Sequence, residues 1–109
     1  MNTPDIRTRR WNGWGEQTID VPLSPHAAEL FAERIGETEL PNDASFEDVL
    51  SKVPESRLPA HELVSTDAEQ RLRHACGESF PDWIAKRSGN IEFFPDGVAF
   101  PETNEEVRE

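Results

Sequence analysis

Phe94-Pro95-Asp96-Gly97-Val98-Ala99-Phe100-Pro101-Glu102-Thr103-Asn104-Glu105-Glu106-Val107 is the stretch of this 109-residue chain on which the fold turns. Just upstream, Ile91-Glu92-Phe93 alternates as an extended segment does, and Pro95-Asp96-Gly97 then punctuates it as a turn. Val98-Ala99-Phe100 reads as a short strand stopped by Pro101. Thr103 is a helix cap, and Glu106 three residues later completes a capping box. Strand, proline, capped helix is the opening of a βαβ unit, which needs roughly 30 residues or more. Fewer than two turns follow the cap, with Val107 alone to bury, and isolated helices shorter than about 12 residues are marginal in water. The strand likewise has no evident partner, and a lone hairpin is marginal even when its mate is present. The expectation is a truncated sequence whose region after Gly89 is the least protected part.

Working outward, the residues before this stretch read as four short helices set off by their punctuation. Ser24 caps the first with Pro25 at its first position, Ala27, Leu30, Phe31 and Ile35 share a face, and Gly36 ends it. Ser45 opens the second, where Phe46, Val49, Leu50 and Val53 recur at i, i+3, i+4, i+7 before Pro54. Thr66 with Glu69 forms a capping box for the third, whose inner side is Ala68, Leu72, Ala75 and Cys76, closed by Gly77. Ser79 and Pro81 start the fourth, with Trp83 and Ile84 inward and Gly89 as its break. Between the second and third lies an irregular connector, Pro54 to Ser65, held extended by prolines 54 and 59. The first 23 residues carry no helical period. Their feature is Trp11-Asn12-Gly13-Trp14-Gly15, which reads either as a turn whose indoles pin an extended arm or as a ligand-stacking platform.

Composition narrows the function classes. Against 22 acidic residues stand 11 Lys and Arg, a net charge of −11, so DNA, RNA and anionic lipid are disfavoured as partners. The longest apolar run is three residues, far short of the about 20 that a membrane-spanning helix needs. Arg7, Arg9 and Arg10 cluster, but Trp11-Asn12-Gly13 follows where a signal peptide would place an apolar core. Cys76 is the single cysteine, which excludes an internal disulfide and a cysteine-based zinc cage. A soluble cytoplasmic protein is the expectation.

Residue chemistry offers no reaction centre. His26, His61 and His74 show neither i, i+4 pairing nor an HExxH pattern, so no metal site is expected. Gly77-Glu78-Ser79 lacks the second glycine of a nucleophile elbow. Cys76 lies at a helix C-terminal end, where the dipole disfavours a thiolate, and reads as a small core residue. One block differs in kind: Asp67, Arg71, His74, Gly77, Ser79 and Asp82 recur every two to four positions. Helical spacing aligns Asp67, Arg71 and His74, the plainest reading being a solvated face with an Asp67–Arg71 pair.

Three blocks carry a resemblance: Arg10-Trp11-Asn12-Gly13-Trp14-Gly15, Asp67 to Asp82, and Phe94 to Pro101 followed by Glu105-Glu106-Val107. In this order they resemble the amino-terminal part of the alkyldihydroxyacetonephosphate synthase (alkylglycerone-phosphate synthase) branch of the FAD-linked oxidase superfamily, the vanillyl-alcohol-oxidase (PCMH) type. The tryptophan block is characteristic of that branch, and the third block is shared with D-lactate and glycolate dehydrogenases. The resemblance implies an α+β chain: a helical N-terminal extension over residues 1–89, then the first strand and helix start of an incomplete FAD-binding domain over 90–109. It implies FAD as the cofactor of the whole protein, held between two α/β subdomains, and a small-molecule substrate under a separate cap domain. In this branch the flavin serves the exchange of an acyl for an alkyl group; in the dehydrogenases it oxidises a 2-hydroxy acid. The glycine-rich loop and the family's catalytic tyrosine, histidines and arginine fall outside these blocks, so no catalytic residue is carried over and the chain alone is expected to be inactive and to bind no FAD. A third reading, from another class, is an acidic helical domain that binds a protein partner through exposed Trp and Phe side chains.

Overall fold

Short polar side chains start each helix. In the computed structural model, which describes residues 8–37 and 42–109, Ser24 accepts from the Ala27 amide and starts α1 (Pro25–Ile35), and Ser45 accepts from Asp48 and starts α2 (Phe46–Ser51). Ser79 and Asp82 cap each other reciprocally ahead of α4 (Phe80–Ser88), and Thr103 accepts from Glu106 ahead of α5 (Asn104–Arg108). The helix between α2 and α4, α3 (Ala68–Arg73), departs from expectation at both ends. Its cap is Asp67 rather than Thr66, through an acceptor bond from the Gln70 amide. It ends at Arg73, short of Gly77, because Ala75 turns back to the Leu72 carbonyl and tightens the last turn.

The strand over Val98–Ala99 (β2) has a partner, contrary to the sequence expectation. It pairs antiparallel with β1 (Val64–Ser65), Val64 opposite Ala99 and Ser65 opposite Val98. The connector expected to be irregular therefore supplies the mate. Gly97 permits the approach: a Cβ there would lie 2.5 Å from Val64 Cγ1 and 3.0 Å from Leu58 Cδ1. The result is a small α+β assembly of short helices and one two-stranded antiparallel sheet.

The core is thin. Trp11, Val49 and Leu72 are buried together, with Ala44, Phe46, Leu50, Val53, Ile91 and Phe94 packed around them. Trp11 comes from the N-terminal arm and meets Phe46 at 5.6 Å between ring centroids. The face expected to be inward on α2 is thus inward, and Leu72 fills that role on α3. The corresponding face of α1 is not buried: Leu30, Phe31 and Ile35 all stand exposed, and Ile84 of α4 does too. At 17.7 Å the radius of gyration exceeds the about 13 Å of a compact domain this long, and the molecule measures 56 × 25 × 21 Å.

Candidate functional site

The Trp11–Gly15 segment closes into a loop by backbone hydrogen bonds, Arg10 N to Gly15 O at 2.9 Å and Gln17 N to Thr8 O at 2.8 Å. Gly15 supplies the positive φ, 92°, that the closure requires. The loop sends its two indoles to different places. Trp11 enters the core, which is the pinning role, whereas Trp14 is 61% exposed and meets Trp83 edge-on at 5.9 Å. Between this loop and α4 runs a groove of about 710 Å³, with Trp14, Ile19, Phe80, Trp83 and Ile84 on its apolar walls. Its cations are already matched. Arg87 binds Asp43 through two bonds of 2.9 and 2.8 Å, and Arg10 reaches the Ile19 carbonyl and lies 3.9 Å from Asp20.

Arg71 does not pair with Asp67 on a solvated face. It is 3% exposed, and its Nε donates to Pro95 O at 2.8 Å while one terminal amine donates to Pro54 O at 2.6 Å. One guanidinium therefore joins the end of α2, the body of α3 and the turn before β2. The other amine of Arg71 is buried without a partner. A second clamp lies beside it: Arg57 reaches the Asp96 carboxylate through Nε and its terminal amine, the shortest bond 2.6 Å, and Ser56 Oγ donates to Asp96 O. Hydrogen bonds from Arg57, with a smaller contribution from Arg71, hold the Asp96 carboxyl below the usual carboxylate range. The Ser79 hydroxyl and amide hold Asp82 low in the same way. Both carboxylates are committed to structure, so neither is poised as a general acid.

The remaining candidates are scattered. His61 Nδ1 accepts from the Leu63 amide, with Nε2 3.8 Å from Glu109, and His74 Nδ1 lies 2.8 Å from Gln70 O with its ring edge-on to Phe100. His26 sits exposed in the first turn of α1, and among the described residues no group of three or more His, Cys, Asp or Glu could hold a metal ion. Lys86, unremarked in the sequence, is 2% exposed, lies 4.8 Å from the Trp83 ring centroid and donates to Arg73 O at 3.2 Å. Burial pushes its ammonium down from the ordinary value, and burial pushes the half-buried Cys76 thiol up. Such a thiol is a poor nucleophile.

The burial of Arg71 left one legible sign: Ala68, Arg71, Leu72 and Ala75 fall at i, i+3, i+4, i+7, so the arginine shares the apolar stripe. Among the described residues, no helix is long and apolar enough to cross a membrane. No protein-family model, curated protein or solved structure matches this chain.

Proposed function

We propose that the chain is the amino-terminal part of an FAD-linked oxidoreductase similar to alkyldihydroxyacetonephosphate synthase, acting in the cytoplasm on a small molecule and inert without the flavin domain. One observation carries this reading. The three blocks that bear the resemblance are in contact with one another: Arg73 of the second donates to Arg9 O beside the first at 2.8 Å, and Arg71 of the second donates to Pro95 O of the third. Trp11 of the first and Leu72 of the second share the core. Contacts from separate parts of the chain thus meet around the second block and reach the turn before β2. The 2-hydroxy-acid dehydrogenase alternative rests on the third block, which both groups share.

Among the described residues, the glycines and cations are poorly suited to an FAD site. A pyrophosphate wants open backbone N–H groups next to glycine and unmatched cations. Here Gly97 is filled by Val64 and Leu58, Gly89 is crowded by Ala44 and Lys52, and the guanidiniums at the groove face Asp20 and Asp43. Titrating the purified chain with FAD should leave flavin fluorescence and absorbance those of free FAD. A yellow protein carrying flavin near 1:1 would overturn the division of labour proposed here. The reading frame beyond codon 109 supplies the second check, since a continuation into a glycine-rich loop is required. The exposure of Trp14, Phe80 and Phe93 favours the third reading, a protein-binding acidic domain; it requires these residues to fold as a self-sufficient unit.

A further inference from the structure

Asn12 is the one asparagine of the chain that a glycine follows, and it stands in the loop between the two indoles. Two backbone rungs close that loop, Arg10 N to Gly15 O and Gln17 N to Thr8 O, and neither engages Asn12 or Gly13. Among the described residues, nothing hydrogen-bonds the Asn12 carboxamide or the Gly13 amide. Both residues are half-buried and line the groove beside α4, where water reaches them. Without a side chain, Gly13 offers its nitrogen to the neighbouring carboxamide unhindered. After Asn42, Asn90 and Asn104 the next residue is Asp43, Ile91 or Glu105, each with a side chain beside that path.

We propose that Asn12 is a modification site at which the chain deamidates itself, and that the product unfastens Trp11. The Gly13 nitrogen attacks the side-chain carbonyl carbon of Asn12. A new C–N bond closes a cyclic imide, and the carboxamide nitrogen leaves as ammonia, taking the Gly13 amide proton. Water then opens the imide at either carbonyl, giving aspartate or isoaspartate. The isoaspartate form routes the main chain through the former side chain and so lengthens it between Trp11 and Gly13. The rungs fix the span of this loop, and Trp11 is buried against Phe46, so the added length is taken up at the Trp11 anchor. Asp96-Gly97, the other dipeptide able to cyclise, has the opposite arrangement. Arg57 grips the Asp96 carboxylate through Nε and a terminal amine, and Gly97 packs tightly against Val64 and Leu58. Arg57 also keeps that carboxylate ionised, which makes it a poor electrophile.

The test incubates the whole 109-residue chain at neutral pH, folded and in urea, and maps it by mass spectrometry with fragmentation that separates aspartate from isoaspartate. Asn12 should convert to both products in the folded chain nearly as fast as in urea, whereas Asp96 should isomerise in urea alone. Gly13→Ala is the matched control: a Cβ there lies 3.6 Å from Arg10 Cδ, an ordinary contact, so the loop keeps its shape while conversion is largely lost over the same period. The isoaspartate fraction, separated by its added negative charge, should show the Trp11 indole NMR signal moved toward that of an exposed tryptophan. Asn12→Asp carries the charge on an unlengthened backbone and should leave that signal in its core position. Asn12 intact in the folded chain while it converts in urea would overturn the proposal, as would folded-state isomerisation of Asp96 that keeps pace with Asn12. An isoaspartate chain with Trp11 still in the core would overturn the unfastening.

Discussion

Lys86 lies under the Trp83 ring with a carbonyl, not a carboxylate, as its acceptor. Burial is the largest influence on its amine; Cys76, Glu78 and Asp82 counter it in part, and Arg73 adds to it. The folded chain therefore binds fewer protons at this site than the unfolded chain does below the ordinary value of 10.5. Stability should rise as pH climbs toward that value, because the penalty for burying an ammonium fades. Lys86→Met keeps the stem and removes the charge, and it should stabilise the fold at pH 7 by about 1 kcal/mol. In urea titrations from pH 7 to 10, the advantage should shrink steadily. An advantage that holds constant or grows with pH would contradict the account. Lys86 and Arg71 were opaque in the sequence for one reason: a periodic pattern marks which positions face inward, but a cation there is ordinarily assigned to water. Arg71 was recoverable from its place among Ala68, Leu72 and Ala75, whereas Lys86 needed the position of the Arg73 carbonyl.

At the scale of elements, the boundaries written in polar caps and glycines were legible. Ser24, Ser45, Ser79 and Thr103 cap as expected, and Gly89 closes α4 at φ 74°. Asp67 displaced Thr66 because adjacent residues can both cap, and geometry chooses between them. The β1–β2 pair was not legible. Two residues are too few to show alternation, and Val64 meets Ala99 across a long span of chain. Gly97 is the position on which that pair depends. Gly97→Ala would push a methyl group into Val64 and Leu58, an overpacking that costs about 1–3 kcal/mol. Amide exchange at residues 64, 65, 98 and 99 should accelerate in this variant, while the Trp11–Val49–Leu72 core keeps its protection. Unchanged exchange across the ladder would mean that the turn absorbs the methyl group at no cost.

The molecule as a whole is long and thinly cored. Three buried apolar residues form its centre, while Phe80, Phe93, Val21 and Val107 are each at least two-thirds exposed. Burial on this scale gives weak coupling between parts, since cooperativity comes from shared core. Thermal unfolding of the 109 residues should be broad, with near-ultraviolet circular dichroism, reporting the tryptophans, changing before the far-ultraviolet helix signal. Coincident, sharp transitions by both probes would instead mark a self-sufficient domain and favour the protein-binding reading. The α1 face shows why whole-molecule packing lay beyond the sequence. Amphipathic spacing states that Leu30, Phe31 and Ile35 are able to be covered, yet all three stand exposed, because spacing along a helix does not supply the surface it packs on.

The bifurcated grip of Arg71 on Pro54 and Pro95 has a navigational side. With both carbonyls fastened to one planar group, the heading of the backbone into Val98 and Ala99 is shared between a side chain seated in α3, the Arg57–Asp96 clamp and the β1 ladder. Exchanging the arginine for lysine, which cannot fork, would release one of the two carbonyls and leave the bearing to the clamp and the ladder alone.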